Sequence, residues 1–261
     1  IHRLPFPGEP MPREAAAWDE YVGQAVAATG SDSSSFAALV IETLQGWGAL
    51  ELPGGYVHAL RRWADEHQVL IVFDEIQTGF GRTGKWFAHE HYGVEADMIC
   101  IGKGLTSTLP LAAVLGRSEV LDLLPPGLIT STHAGHPLSC VAALANLEII
   151  HDERLVEHAA DMEIVVTSRL GELQQKFPRV IGDFRGRGLM HAVDINDPVT
   201  GEASPSLARD LTWEIVRRGV MMFYTNRPTL KIVPPLVISK EALLDGIDGI
   251  EEALESLPVA R

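Results

Sequence analysis

Cysteine, basic residues and long apolar runs are scarce in this sequence, and each shortage excludes a class of protein. The 261 residues include only 2 cysteines, too few for a disulfide framework and typical of a reducing compartment. Lys and Arg number 21 against 35 Asp and Glu, and the resulting net charge of −14 argues against nucleic acid or an anionic membrane as partner. No apolar run approaches the roughly 18 residues of a membrane span. We therefore expect a cytoplasmic protein.

Short apolar runs alternate with amphipathic segments in the first 150 residues. Continuous apolar strands of this kind are typical of a mostly parallel sheet that is covered on both faces. The pattern therefore predicts an α/β domain over residues 1–150. The predicted strands are 36–42, 69–75, 97–103 and 110–116, and the predicted helices are 13–29 and 54–68.

The pattern changes in the second half of the chain. A long helical region follows Pro137, breaks near His151 and resumes to about Phe177. A smaller α+β domain is therefore predicted over residues 151–261. Its remaining predicted elements are a hairpin at 180–197, a helix at 206–219, strands at 220–225 and 229–235, and a final helix that Ser239 caps.

The stretch GFGRTGK at residues 79–85 matches part of the sequence patterns of two nucleotide-binding loops. A P-loop needs Ser or Thr after its Gly-Lys pair to bind magnesium, but Trp86 stands at that position. A dinucleotide-binding turn needs an acid at the end of the following strand, where Lys103 stands instead. We therefore interpret these glycines as a turn rather than as a nucleotide site.

The ends of two predicted strands carry opposite charges. One apolar strand ends near Asp74 and the next ends at Lys103. Because parallel strands place their carboxyl ends at one edge of a sheet, a carboxylate and an amine would share one crevice. Taken alone, such a pair is also compatible with a structural ion pair.

A longer pattern decides between these interpretations. The stretch DEIQTGFGRTGKWFAHEHYGVEADMICIGKG resembles the core signature of class III pyridoxal-phosphate-dependent aminotransferases, and the resemblance continues through LPLAAVLG, STHAGHPLSCVAALA, RGRGLM and PPLVIS. It implies a fold type I transferase that has a partial large domain and a C-terminal α+β small domain. It also implies transfer of an amino group from an amine or amino acid to a 2-keto acid.

The resemblance implies roles for four residues. Lys103 would form the Schiff base with pyridoxal 5′-phosphate (PLP), and Asp74 would pair with the pyridinium nitrogen. Gln77 would approach the phenolic oxygen of the ring. Thr132 would bind the cofactor phosphate of the neighbouring subunit, which implies a homodimer with shared active sites. No metal is expected, because the pairs His89–His91 and His133–His136 have no convincing third ligand.

The substrate-binding positions depart from the family. Many members bind the substrate carboxylate with an arginine where this chain has Lys231. They often carry a glutamate, which can pair with that arginine when no carboxylate is bound, where this chain has Trp47. Glu42 is retained, and Arg227 is a further candidate for a carboxylate contact. A lysine ammonium is a point charge and lacks the two parallel donors with which an arginine guanidinium binds a carboxylate. We therefore expect looser recognition of an α-carboxylate.

The sequence predicts little activity for the chain alone and leaves two alternatives to transamination open. The chain resembles the C-terminal three-fifths or so of family members, without the part that supplies the phosphate cradle, so weak or no activity is expected of it alone. A racemase, a decarboxylase or an amine-phosphate lyase would use the same Asp74 and Lys103. A non-catalytic fragment or assembly subunit would keep the pattern without the reaction.

Overall fold

The computed structural model describes residues 1–8 and 10–257. They form two compact units. The first comprises Ile1–Leu44, Glu51–Phe80 and Phe87–Ile149, and the second comprises Gln45–Leu50, Gly81–Trp86 and Ile150–Arg261. None of the helices among the described residues has the length and apolar character that a bilayer span requires.

Apart from a short helix at Ser118–Leu121 that was not predicted, the helices and strands of the first unit follow the predicted order. They are α1 (Ala15–Ala27), β1 (Ala38–Ile41), α2 (Gly54–His67), β2 (Leu70–Asp74), β3 (Met98–Ile101), β4 (Ala113–Gly116), α3 (Ser118–Leu121) and α4 (Pro137–Asp152, whose last three residues belong to the second unit).

The first unit is built on a four-stranded sheet in the order β1-β2-β3-β4. The β1–β2 and β2–β3 pairs are parallel and β4 is antiparallel to β3, which confirms the predicted mostly parallel sheet. Helices α1 and α2 pack closely, and Trp18 meets Tyr56 at a ring distance of 5.9 Å. A side chain at Gly55 would lie 2.3 Å from the Trp18 ring, so this approach requires glycine.

Asp97 connects the amino ends of β2 and β3 through hydrogen bonds and ion pairs. Its Oδ2 accepts hydrogen bonds from the Ile71 backbone N–H at 2.7 Å and from Arg61 at 2.8 Å, and Arg117 donates to Oδ1. Burial alone would raise the pKa of Asp97, but the Ile71 hydrogen bond and the Arg61 and Arg117 guanidiniums hold it below its usual value. This ion-pair cluster therefore stabilises the end of the sheet opposite to Asp74.

The second unit contains the remaining elements. It packs helices against a three-stranded antiparallel sheet in the order β5-β6-β7, around a core that includes Val166, Leu170, Leu211, Ile215 and Ile250. The elements are α5 (Leu155–Lys176), β5 (Ile181–Arg187), β6 (Met190–Ile195), α6 (Pro205–Arg217), β7 (Thr229–Ile232) and α7 (Lys240–Glu255). The Ser239 cap is confirmed, since its hydroxyl accepts from the Ala242 N–H at 3.1 Å.

The strand predicted at 220–225 was wrong. Within the described residues, this segment belongs to no strand. Partly buried and exposed side chains do alternate in this segment. Val220, Met222 and Tyr224 pack against the core, while Met221 is 98% exposed. Side-chain burial alone produces the period of two here, without the backbone pairing that defines a strand.

Candidate active site

The parallel pairing of β2 and β3 brings two of the predicted residues to one edge of the sheet. Asp74 ends β2 and lies in register with Cys100 of β3. Lys103 follows three residues after Cys100, beyond the end of the same strand. The Glu75 N–H donates to the Cys100 carbonyl at 2.9 Å and extends the pairing past Asp74. The carboxylate and the amine therefore follow neighbouring strand ends, as predicted.

Asp74 is partly buried and locally held. Its Oδ1 accepts a hydrogen bond from the Ile76 N–H at 3.1 Å, which turns the chain away from the strand. Burial and, to a smaller extent, the Asp74 charge raise the pKa of the Cys100 thiol. The carboxylate thus acts electrostatically on the strand that leads to Lys103.

Lys103 has an unusual backbone and an exposed side chain. Its φ of +40° lies in the left-handed region that non-glycine residues rarely adopt, at a cost of about 1–3 kcal/mol. Its ammonium donates a hydrogen bond to Gln77 Oε1 at 3.0 Å. Asn146 of α4 supports the turn, because its Nδ2 donates to the Gly104 carbonyl at 2.7 Å. The structure therefore brings Lys103 and Gln77 into contact, and Asn146 is a supporting residue that the sequence interpretation missed.

Glu75 is a second residue that the sequence interpretation missed. Its side chain is fully buried, and its carboxylate accepts from the Thr78 hydroxyl, the Ala88 N–H, the His89 N–H and His89 Nδ1. Burial alone would raise the pKa of Glu75, but the hydrogen bonds from His89, Thr78 and Ala88 keep it below its usual value. A signal was present, since an acid that directly follows a buried apolar strand needs a partner.

Two further predicted residues of the first unit lie at its surface. Glu42 is exposed directly after β1. Thr132 is exposed in a turn that the Ala134 N–H closes onto the Ser131 carbonyl at 3.1 Å. The roles of both residues stay predictions.

The other predicted substrate residues belong to the second unit. Lys231 on β7 is 8% exposed, and its Nζ lies 6.0 Å from the centroid of the Phe223 ring. Both line a cavity of about 500 Å³ together with Met222 and Asp245. Arg227 is exposed in the loop before β7. The structure therefore associates Lys231 with a partly apolar cavity of this unit and Arg227 with its surface.

Trp47 is presented by a short loop that is part of the second unit. The side chain is 57% exposed. The Gly48 carbonyl accepts from Arg185 Nε at 2.8 Å, and the same guanidinium forms a bidentate pair with Asp194 at 2.6 and 2.9 Å. This pairing holds the loop while the indole remains accessible.

The glycine-rich stretch is a packed loop. Gly81 and Gly84 take φ of +87° and +79°. Arg82 donates to the Pro234 carbonyl at 2.6 Å and to the Leu189 carbonyl at 3.2 Å, and burial lowers its pKa to about 10. No helix opens between Gly79 and Trp86, as a dinucleotide-binding turn would require.

Three known proteins resemble this chain in sequence or in structure. A leucine/methionine racemase from Thermococcus litoralis is 39% identical over 227 residues, which cover 86% of this chain and 51% of that protein. A 4-aminobutyrate aminotransferase from Mycobacterium tuberculosis is 40% identical over 231 residues, with coverages of 86% and 51%. The solved structure of an amine transaminase from an uncultivated Pseudomonas species, in its PLP-bound form, has a TM-score of 0.82 at 29% identity and covers 92% of this chain and 56% of that one.

These matches bear on both fold and family. The chain spans about half the length of the curated relatives that it matches. Its structural relatives have the fold type I architecture of PLP-dependent transaminases, which confirms the predicted fold class. The family model for aminotransferase class-III matches residues 1–254, so the chain belongs to the class III aminotransferases, a PLP-dependent family.

Proposed function

We propose that the protein is a PLP-dependent transaminase that moves an amino group from an amine or amino acid to a 2-keto acid. The observation that carries this proposal is the association of Lys103, Gln77 and Asp74 at the carboxyl ends of β2 and β3. Membership of the class III family supports the reaction class.

The chemistry of these side chains fits the cofactor. PLP has an aldehyde, a ring nitrogen that is most effective when protonated, and a phenolic oxygen. An exposed amine, a carboxylate and a neutral amide are the matching groups, and Lys103, Asp74 and Gln77 supply one of each. We therefore propose that Lys103 holds the cofactor covalently, Asp74 pairs with the ring nitrogen and Gln77 donates to the phenolic oxygen.

When bound, PLP supplies an electron sink for the carbanion that an amino acid leaves on losing its α-proton. Nζ of Lys103 is the proposed base that takes this proton and returns it to a neighbouring carbon. Its hydrogen bond to the uncharged Gln77 amide fixes the direction of the amine. The Asp74 carboxylate would stabilise positive charge on the ring nitrogen.

The proposed substrate contacts come from Lys231, Trp47, Arg227 and Glu42. Lys231 offers a single buried ammonium to a carboxylate in a cavity whose other walls include Phe223 and Met222. A point charge discriminates less by geometry than a guanidinium fork does. We therefore propose that the donor range includes amines and amino acids that have apolar side chains.

A homodimer with shared active sites is part of this proposal, with Thr132 reaching the cofactor phosphate of the other subunit. Thr132 is exposed. The segment around it also exposes apolar side chains, whose contact with water is unfavourable: Leu123, Leu128, Ile129, Leu138 and Val141. Mixing equal amounts of Thr132→Ala and Lys103→Ala proteins tests it. Each mixed dimer would have one intact site, and about half of the dimers would be mixed, so the mixture should regain up to about one quarter of wild-type activity. Absence of any recovery would contradict the shared site.

Racemisation is the second candidate reaction. The observation that favours it is the 39% identity with a leucine/methionine racemase, whose name implies inversion of an amino acid rather than transfer of its nitrogen. Lys103 would then move the proton between the two faces of the α-carbon. A decarboxylase or an amine-phosphate lyase would use the same residues but has no specific support here.

One experiment tests cofactor attachment. The protein, isolated as its host produces it, is mixed with PLP, reduced with borohydride and mapped by peptide mass spectrometry. We expect the cofactor mass on the peptide that contains Lys103 and its loss in Lys103→Ala. If the reduced cofactor is found only on other lysines, or on none, the enzyme proposal is wrong and a non-catalytic role is favoured.

A second experiment separates the two reactions. The PLP-loaded protein is given single enantiomers of amino acids without a keto acid. A transaminase forms at most one equivalent of keto product per site and then stops, whereas a racemase generates the opposite enantiomer continuously. Asp74→Asn should keep the trapped cofactor but turn over on the order of 10²–10⁴-fold more slowly. The exposed control Asp65→Asn should retain wild-type turnover.

A further inference from the structure

Glu75 is a fully buried carboxylate located between Asp74 and Gln77. Its Oε1 accepts from the His89 N–H at 2.8 Å and from His89 Nδ1 at 3.2 Å. Its Oε2 accepts from the Ala88 N–H at 2.9 Å and from the Thr78 hydroxyl. Four donors therefore converge on one side chain, two on each oxygen.

The backbone N–H and carbonyl of Glu75 also form hydrogen bonds, to two different segments. Its N–H donates to the Cys100 carbonyl on β3, and its carbonyl accepts from the Gly79 N–H, each at 2.9 Å. A side chain on Gly79 would lie 2.9 Å from that carbonyl, so the turn from Glu75 to Gly79 is closed tightly. Gln77 lies inside this turn, and Asp74 precedes it directly.

The donors come from the segment that follows the turn. His89 and Ala88 belong to a 3₁₀ helix at Ala88–Tyr92, and the His89 ring stacks on Phe73 of β2 at 5.2 Å. Glu75 therefore connects the end of β2, the turn that carries Gln77 and this 3₁₀ helix. Burying a carboxylate among apolar residues is costly, and an apolar side chain would fill the space without that cost. The charge is thus better explained by the geometry that it imposes than by stability.

We infer that Glu75 is a positioning residue, which orients Asp74 and Gln77 toward the Lys103 amine by holding the turn at residues 75–79 through Thr78, Ala88 and His89. Glu75 itself touches no reacting atom in this proposal. The inference rests on the proposed function, since it assigns Glu75 a task in the PLP site.

The variant Glu75→Gln tests the inference because it keeps the shape of the side chain. Whichever oxygen becomes an NH₂ group then faces two donors, so at least one buried donor loses its acceptor. Asp97→Asn is the matched control. Asp97 is also a buried carboxylate of the first unit that accepts from a backbone N–H, but it lies at the opposite end of β2 and β3.

Three quantities are measured on the protein as its host produces it: PLP affinity, visible circular dichroism of the bound cofactor, and thermal unfolding without cofactor. Both variants should unfold at a lower temperature than wild type. Below those temperatures, Glu75→Gln should weaken PLP affinity on the order of tenfold and change the visible dichroism. Asp97→Asn should leave affinity within about twofold and the dichroism unchanged.

A milder variant keeps the test informative if Glu75→Gln fails to fold. His89→Phe retains the ring stacking on Phe73 and the backbone N–H but loses the Nδ1 donor, and should shift PLP affinity by up to about fivefold in the same direction. Wild-type affinity and dichroism in the folded Glu75 or His89 variant would overturn the inference, as would equal changes in Asp97→Asn. A wild-type protein without borohydride-stable cofactor on Lys103 would instead refute the proposed function.

Discussion

Nζ of Lys103 donates a hydrogen bond to Oε1 of Gln77 across 3.0 Å, and this bond joins the segments that follow two parallel strands. Lys103 makes it from a left-handed backbone conformation with φ of +40°. Strain of this kind persists only where surrounding contacts enforce it, as the Asn146 bond to the Gly104 carbonyl does here. The position of the amine is therefore supported by contacts from the turn after β2 and from α4 together.

The first prediction concerns Gln77. Gln77→Leu removes the amide that we propose donates to the phenolic oxygen, a hydrogen bond worth about 1 kcal/mol, so PLP capture by Lys103 should weaken about fivefold. Gln77→Glu places a negative charge beside the ammonium, stabilises its charged form and should slow capture at neutral pH further. Stopped-flow absorbance with PLP measures both. Faster capture by the Glu variant than by the Leu variant would contradict the prediction.

The second prediction concerns Asp97, whose pKa is held below its usual value by Ile71, Arg61 and Arg117. Asp97→Asn should lower the free energy of unfolding at pH 7 by about 3 kcal/mol, because a charged partner is removed from a buried cluster. A lowered pKa stabilises above the unfolded value near pH 4, and this contribution is lost as pH falls through the folded pKa. Urea unfolding should therefore show a deficit that shrinks below pH 4. A deficit independent of pH would argue against the ionic origin.

The third prediction concerns His191 on β6. It is 2% exposed, neither ring nitrogen has a hydrogen-bond partner among the described residues, and burial lowers its pKa to about 4. Because the folded state resists protonation, stability is complete above the unfolded pKa near 6.5 and falls by about 3 kcal/mol as pH drops to about 4. Urea unfolding between pH 7 and 4 measures this slope.

The matched variants for this prediction are His191→Leu and His58→Gln. The first should flatten the slope over that pH range, whereas the second, at an exposed position of α2, should leave it as in wild type. Equal slopes in wild type and His191→Leu would show that another group controls the loss of stability in acid.

The fourth prediction concerns Arg82. Its guanidinium donates to the carbonyls of Pro234 and Leu189, so Arg82→Ala leaves two partly buried acceptors unpaired and should cost about 2–3 kcal/mol. Arg82→Lys retains a charge but only one point of contact, so its cost should be smaller. Hydrogen exchange should show faster exchange at 81–86 and 188–190 in the Ala variant. Unchanged protection there would mean that these turns hold without Arg82.

Part of the candidate site could be predicted from local pattern. Asp74 and Lys103 each follow an apolar run, and parallel pairing necessarily brings such ends to one edge of the sheet. The strand predicted at 220–225 was wrong because alternation reports side-chain burial and does not report backbone pairing. Glu75 was overlooked because its four donors come from residues up to fourteen positions away along the chain.

The sequence by itself determined the family, the order of most elements and the residues that carry charge at the ends of β2 and β3, because apolar periodicity and motif spacing are local properties. Only the tertiary structure decided that Lys103 is strained and directed at Gln77, that Glu75 holds the intervening turn, and that the loops of Trp47 and Arg82 belong to the second unit. Those features depend on hydrogen bonds between distant segments, which form only when the chain is packed.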